Sequence, residues 1–141
     1  MLKLQIDTTG FIQYHSTEQY LQCKKAEFAG DDVTAARIMK AEDPLECKNL
    51  AKSIKNFDVA AWDRTACDIM KQGLLIKFRT HLKCKETLMQ TENRSLGEAS
   101  KHDLFWGTGV ALNDPHATNT GVWTGQNNMG KLLEEIRSAF N

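Results

Sequence analysis

A polar cluster in the last third of the chain has the residue types needed for acid–base chemistry on a planar ligand. It consists of Glu98, Asp103, Trp106 and Gly107. Carboxylates activate water or stabilise positive charge, and an indole ring offers a stacking surface. The cluster predicts a pocket for a nucleotide-like or sugar-phosphate ligand. The alternative interpretation is a surface turn that is capped by Asp103, with Trp106 as a buried structural residue.

A glycine-rich entrance to the last helix follows this cluster. Residues 125–130 read Gly-Gln-Asn-Asn-Met-Gly. Glycines allow the backbone to come close to a ligand, and free N–H groups at a helix N-terminus favour phosphate. We therefore predict that Gly125, Asn127 and Gly130 bind phosphate or pyrophosphate through backbone and amide groups.

A second polar group lies in the first predicted helix. Glu18, Gln22 and Lys25 follow one another at steps of four and three residues, so they share one face of a helix. One interpretation is a solvated stripe of weakly interacting side chains. The functional interpretation is a polar face turned inward, with a carboxylate and an amine available for catalysis.

Cleavage of a glycosyl bond would use such groups directly. As an N-glycosidic bond breaks, C1 of the ribose becomes oxocarbenium-like. A carboxylate beside it stabilises the charge or activates water, and another group protonates the leaving base. A phosphate held nearby would position the sugar.

The elements that must position these residues are mainly helical. Alternating apolar residues on either side of Thr8-Thr9-Gly10 predict an N-terminal β-hairpin. Capping residues and apolar periodicity predict helices that begin after Ser16 or Thr17, Asp31 or Asp32, Asp43, and Asp58. The third of these helices is expected to run to about Ile54. A shorter helix over 82–90 and a last helix carrying Met129 to Phe140 complete the set.

The fold class predicted from these elements is mainly α (α+β). We expect a compact helical domain with a small N-terminal β-hairpin and a short extended segment near 103–112, followed by a loop over 113–127. Its 141 residues are enough for one domain with a core of its own.

The composition excludes several classes of protein. Lys+Arg and Asp+Glu both number 18, so strong binding to a nucleic-acid backbone is not indicated. No apolar run approaches the ~20 residues of a membrane span, and the N-terminus lacks a signal-peptide layout. The four cysteines form no C-x-x-C pair. We expect a cytoplasmic protein without membrane association, metal or cofactor, and with free thiols.

Five motifs in the same order resemble the YbiA-like, or NADAR (NAD and ADP-ribose associated), family. Residues 17–25 resemble its "S/T-x-E-H-x-x-Q-x-x-K" helix, and residues 98–107 resemble "E-x-x-x-x-D-x-x-W-G". The other matches are "A-x-x-P…A-K" at 41–52, "W…M…L-x-x-K-F" at 62–78 and "G-x-N-x-L-G-x-L" at 125–132. Order and spacing agree over nearly the whole chain.

The resemblance implies an N-glycosidase. Some members hydrolyse ribosylamino-pyrimidine 5′-phosphates of riboflavin synthesis, and others remove ADP-ribose from guanine bases. The partner would therefore be a small phosphorylated riboside or ADP-ribosylated nucleic acid. The positions carried over as functional are Glu18, Lys25, Glu98, Asp103 and Trp106.

Each of these residues has an expected role. Glu98 or Asp103 would stabilise the ribosyl cation or activate water, and Glu18 would orient ribose hydroxyls or act as the alternative base. Lys25 would contact phosphate or form a transient imine with an opened ribose, and Trp106 would stack on the base. Gln22 and Gly107 are further expected substrate-binding positions.

Two departures from the family pattern stand out. Members usually begin with an "F-x-S-N-F/Y" segment that approaches the pocket, and this sequence starts after it. Part of the substrate-binding surface is then expected to be missing or to come from elsewhere, and a homodimer is one arrangement that fits. In addition, Gln19 occupies a position where histidine is common.

Other functional classes remain as alternatives at this point. They are a non-catalytic ADP-ribose or NAD-binding module, a nucleic-acid-binding protein that recognises modified bases, and a helical scaffold protein.

Overall fold

The computed structural model describes residues 2–5 and 11–141. Strand β1 (Leu2–Gln5) pairs antiparallel with β2 (Phe11–Tyr14), with Leu4 opposite Ile12. The predicted hairpin is thereby confirmed, although its predicted turn lies outside the described residues. The chain divides into two compact units, Met1–Cys84 and Lys85–Asn141. The single domain expected over 1–141 stays a prediction.

Polar caps fix where the helices of the first unit begin. The hydroxyl of Ser16 accepts a hydrogen bond from the backbone N–H of Gln19 at 3.1 Å, at the start of α1 (Thr17–Phe28). Aspartate carboxylates cap α2 (Asp32–Lys40), α3 (Pro44–Ala51) and α4 (Val59–Thr80) in the same way. A helix cannot pair its own first N–H groups, so these side chains satisfy them. The four predicted helix starts are confirmed, whereas α3 ends at Ala51 and not at Ile54.

Helix α1 is the centre of the first unit. It packs against α2, α3 and α4. The hydrophobic core around it includes Tyr14, Tyr20, Cys23, Ala26, Ile38 and Cys47. The predicted apolar stripe of α4 is also buried, as shown by Trp62, Ala66, Met70, Leu74 and Phe78. Burial of this apolar surface supplies the main driving force for folding of the unit.

The Gln19 side chain ties α1 to the end of α2. It is completely buried. Its Nε2 donates to the carbonyl oxygens of Ile38 at 3.0 Å and Ala41 at 2.7 Å, while its Oε1 accepts from the backbone N–H of His15 at 2.6 Å. Buried backbone groups need such partners. Gln19, at the position where the family commonly has histidine, is thus a structural residue in this chain.

The second unit contains most of α5 (Leu82–Met89), which begins in the first unit, and α6 (Asn128–Ala139). A short 3-10 helix over Thr120–Val122 interrupts the predicted loop. The prediction of an extended segment near 103–112 is wrong, because the chain there forms successive turns. The backbone N–H of Gly107 donates to the carbonyl of Asp103 at 3.0 Å and closes the first of these turns.

Within residues 2–5 and 11–141, no helix is both long enough and apolar enough to cross a membrane.

Replacing Gln19 with leucine should destabilise the protein by about 2–4 kcal/mol, because the hydrogen bonds of its amide to the backbone of His15, Ile38 and Ala41 are lost. Urea unfolding followed by circular dichroism measures the change. Gln13→Leu is the matched control, since Gln13 is exposed on β2, and it should cost less than about 0.5 kcal/mol. Equal stability of the two variants would show that the Gln19 hydrogen bonds contribute nothing.

Candidate functional site

The predicted polar face of α1 is real and partly buried. Gln22 is 8% exposed, whereas Glu18 and Lys25 are half-buried. The Nε2 of Gln22 donates to Oε1 of Glu18 at 2.8 Å. Its own Oε1 is buried and accepts no hydrogen bond from any described residue. A solvated stripe therefore does not describe Gln22.

Lys25 contacts an aromatic ring that the sequence analysis did not single out. Its Nζ lies 5.4 Å from the centroid of the Phe57 ring, which is within cation–π range. Phe57 precedes α4 in an irregular stretch, where no periodic pattern points to it. The first unit thus places a carboxylate, an amide and an ammonium group on one helix face, with a ring at the ammonium end.

In the second unit, side chains of α6 hold the backbone that carries Glu98. The amide of Asn127 accepts from the N–H of Glu98 at 3.1 Å and donates to the carbonyl of Leu96 at 2.8 Å. The carboxylate of Glu134 accepts from the N–H of Leu96 at 2.8 Å. Glu98, itself half-buried, is therefore positioned through its main chain.

Arg137 completes this polar face of α6. It is buried, and its Nη1 donates to Thr91 Oγ1 at 2.8 Å and to the carbonyl of Arg94 at 2.9 Å. Glu134 and Arg137 were not among the residues predicted from the sequence. Their signal was the spacing of positions 130, 134 and 137, at steps of four and three residues, which places these three positions on one side of the helix.

Asp103 caps the turn that presents Trp106. Its Oδ1 accepts from the N–H of Phe105 at 3.2 Å and of Trp106 at 2.9 Å. The indole of Trp106 is half-buried and meets the Phe105 ring edge-on, with centroids 4.8 Å apart. This geometry matches the capped turn that the sequence left open as an alternative. Catalysis by Asp103 and stacking by Trp106 stay predictions.

The entrance to α6 differs from the expectation of free N–H groups. The N–H groups of residues 125–129 donate to the carbonyls of Thr108, Leu104, Gly107, Phe105 and Trp106. A Cβ at Gly125 would clash with the carbonyl of Gly107, and one at Gly130 with the carbonyl of Leu96. The expectation was therefore wrong for these five donors, because the glycines admit the chain's own backbone.

The predicted phosphate contacts of Gly125, Asn127 and Gly130 remain a prediction that would need other donors. The side-chain amide of Asn127 is already engaged at both ends. Gly107 is buried as well, and a Cβ there would lie 2.6 Å from the carbonyl of Asp103. Its other near neighbours are the Ser100 side chain and the carbonyl of Glu98.

A cavity of about 530 Å³ lies within the second unit. Its lining includes Gly97, Ala99, Leu112 and Trp123, and it contains no charged side chain. The indole N–H of Trp123 donates to the carbonyl of Ala117 at 2.9 Å and so fixes the ring. Both chain neighbours of Glu98 line this cavity, whereas Glu98 itself does not. Trp123 was not among the residues predicted from the sequence.

Two cysteines lie in the core of the first unit, where burial disfavours the thiolate form. Burial raises the pKa of the Cys23 thiol to about 11 and also raises the pKa of Cys47. Neither is a nucleophile at neutral pH, since the thiolate is the reactive form. In the part of the chain that the structure describes, no group of three or more His, Cys, Asp or Glu side chains could hold a metal ion.

Comparison with known proteins places this arrangement in a family. The model of the NADAR domain matches residues 3–141. The chain belongs to the NADAR family. Its resemblance to that family, found in five motifs, is thereby confirmed.

Two relatives and one solved structure illustrate the range of this NADAR family. The chain is 32% identical over 127 residues to "N-glycosidase R617" of Acanthamoeba polyphaga mimivirus, covering 90% of this chain and 75% of that protein. It is 31% identical over 137 residues to "Riboflavin biosynthesis protein PYRR, chloroplastic" of Zea mays, covering 91% of this chain and 20% of that protein.

The solved structure is that of the E. coli protein YbiA, determined by NMR. It matches with a TM-score of 0.72 at 23% identity, over 98% of this chain and 72% of YbiA. The mainly helical, YbiA-like fold is confirmed.

Replacing Asp103 separates its capping role from its charge. Asp103→Asn keeps an Oδ1 acceptor and should change stability by a few tenths of a kcal/mol, whereas Asp103→Ala should cost about 1 kcal/mol. Thermal unfolding of the two variants beside the parent chain measures both. Equal loss in the two variants would mean that the carboxylate charge, and not the cap, stabilises this turn.

Proposed function

We propose that the protein is an N-glycosidase that hydrolyses the N-glycosidic bond of a phosphorylated N-riboside. The N-glycosidase name of the mimivirus relative supports the reaction class. The observation that carries the proposal is the α1 face, where Glu18 is hydrogen-bonded to the nearly buried Gln22 and Lys25 follows on the same side. A carboxylate and an ammonium group so arranged suit a sugar cation and a phosphate.

The proposed substrate has one of two forms. It is a ribosylamino-pyrimidine 5′-phosphate, which the riboflavin name of the Zea mays relative favours, or ADP-ribose on a guanine base. Both present a ribose bearing phosphate on a planar base. The absence of excess positive charge, with 18 basic and 18 acidic residues, fits recognition of this local group better than of a long nucleic-acid backbone.

The proposed reaction breaks the bond between the base nitrogen and C1′ of the ribose. The bonding electrons leave with the base, which takes up a proton, and water adds to C1′. A carboxylate stabilises the developing oxocarbenium charge or accepts the proton of the attacking water. The products are the free base and ribose 5-phosphate from the ribosylamino-pyrimidine phosphate, or free ADP-ribose and the unmodified guanine from the ADP-ribosylated substrate.

We assign the charge-stabilising role to Glu98 in preference to Asp103. Asp103 already uses Oδ1 to cap a turn, and the main chain of Glu98 is held in place by Asn127. Glu18 is assigned to the ribose hydroxyls and Lys25 to the phosphate. Trp106 keeps its proposed role as a stacking surface for the base.

Glu98→Gln should lower kcat/KM for hydrolysis of the N-glycosidic bond by about a hundredfold or more, since a neutral amide neither stabilises a cation nor accepts a proton. Glu18→Gln should raise KM more than it lowers kcat. Mass-resolved chromatography follows free base from the ribosylamino-pyrimidine phosphate and, separately, free ADP-ribose from an oligonucleotide bearing ADP-ribosylated guanine. Glu42→Gln is the control, because Glu42 is exposed.

Unchanged turnover in both the Glu18 and Glu98 variants would contradict the assignment of the carboxylates. Saturable binding of ADP-ribose by the parent chain, with no cleavage of either substrate, would instead favour a non-catalytic ADP-ribose-binding module.

A further inference from the structure

The Gln22 side chain has a hydrogen-bond partner for its NH₂ group but none among the described residues for its oxygen, at a position to which water has little access. Gln22 is 8% exposed, and its Oε1 is buried without a partner in the described chain. Most buried side-chain polar atoms in folded proteins have at least one hydrogen-bond partner. An acceptor without one costs stability, so its retention needs an explanation in function.

The orientation of this amide is fixed by its neighbour. Glu18 Oε1 lies 2.8 Å from Gln22 Nε2. An ionised carboxylate only accepts hydrogen bonds, so the NH₂ end of the amide must face Glu18. Rotating the amide by half a turn would set two acceptors against each other. The orphan atom is therefore an oxygen, and its missing partner is a hydrogen-bond donor.

The hydrogen-bond donor that fits Gln22 Oε1 is an uncharged group on a ligand that also carries an anionic group. Glu18 and Gln22 are one helical turn apart and both present acceptors, because the carboxylate has lone pairs beyond the one that the amide uses. Lys25 lies about 4.5 Å further along the helix axis. The neighbouring hydroxyls of a ribose can donate to two adjacent acceptors, and a phosphate on the same sugar is an anion that suits an ammonium group. A base N–H would satisfy Gln22 but would bring no anion to Lys25.

We propose that Glu18 and Gln22 together bind the 2′- and 3′-hydroxyls of the ribose and make the protein selective for ribosides over 2′-deoxyribosides. This inference rests on the proposed function. It adds that the ribose hydroxyls are the group of the substrate that is recognised and that Gln22 takes part in recognising them. In this arrangement Gln22 Oε1 accepts from one hydroxyl and Glu18 from the other. Gln22 contacts the sugar and leaves the reacting bond to other groups.

Titration of the full chain with ribose 5-phosphate and with 2-deoxyribose 5-phosphate tests the selectivity. Isothermal calorimetry should show that ribose 5-phosphate binds at least about tenfold more tightly, because the deoxy sugar leaves a buried acceptor unpaired. Gln22→Met should reduce this ratio to within about twofold. Gln13→Met is the control and should keep the parent ratio, since Gln13 is exposed.

Thermal unfolding of the same variants separates a binding role from a structural one. A methionine removes the orphan acceptor and keeps the volume, so Gln22→Met should unfold at the same temperature as the parent chain or higher. A lower unfolding temperature would assign Gln22 to the fold and overturn the inference. Equal affinity of the parent chain for the two sugars, or a ribose preference that survives in Gln22→Met, would also overturn it.

The same titration distinguishes this inference from the proposed function. A ribose preference that depends on Gln22, with no release of base from any riboside, would uphold the diol contact and reject the N-glycosidase. Base release without any ribose preference would uphold the N-glycosidase and reject the diol contact. Displacement of a bound riboside by the free base, but not by ribose 5-phosphate, would assign Gln22 to the base and overturn the diol contact.

Discussion

The segment that carries Glu98 depends on hydrogen bonds from the side chains of one helix. Residues 95–100 have no regular secondary structure, so their backbone groups need partners from elsewhere. Asn127 and Glu134 supply them to residues 96 and 98, and Arg137 binds the chain just before this segment. Position 130 must be glycine because the carbonyl of Leu96 occupies the place of a Cβ. The polar face of α6 thus sets the position of the candidate catalytic carboxylate.

In the first unit, two glutamines of helix α1 differ in how their amides are hydrogen-bonded. Gln19 is fully buried, and its amide is hydrogen-bonded to the backbone of α2 and its neighbours. Gln22, on the next turn, donates to Glu18 and keeps a buried oxygen with no partner in the part of the chain described. The hydrogen bonds of Gln19 stabilise the fold, whereas the unpaired oxygen of Gln22 lowers its stability. Local exceptions of this kind are typical of functional sites, and this one supports the proposed contact with the riboside.

The features that the sequence predicted well depend on local chemistry. Asp43 before Pro44 and Asp58 before an apolar stripe mark helix starts, because capping involves residues a few positions apart. The errors concern contacts between distant residues. The glycines at 107–109 indicated extended chain, yet Asp103 closes a turn there. The N–H groups of 125–129 looked free because nothing local shows that carbonyls of 104–108 accept from them. Spacing placed Gln22 beside Glu18, but only packing shows that its oxygen is buried and unpaired.

The most direct test of the N-glycosidase assignment is the stoichiometry of the products. Purified full chain would be incubated with a ribosylamino-pyrimidine 5′-phosphate and, separately, with an oligonucleotide bearing ADP-ribosylated guanine, and both products would be quantified by mass-resolved chromatography. We expect either that the pyrimidine substrate yields free base and ribose 5-phosphate in equal amounts, or that the oligonucleotide yields ADP-ribose and unmodified oligonucleotide in equal amounts, at a rate proportional to protein concentration. Failure of the protein to cleave either substrate would contradict the assignment.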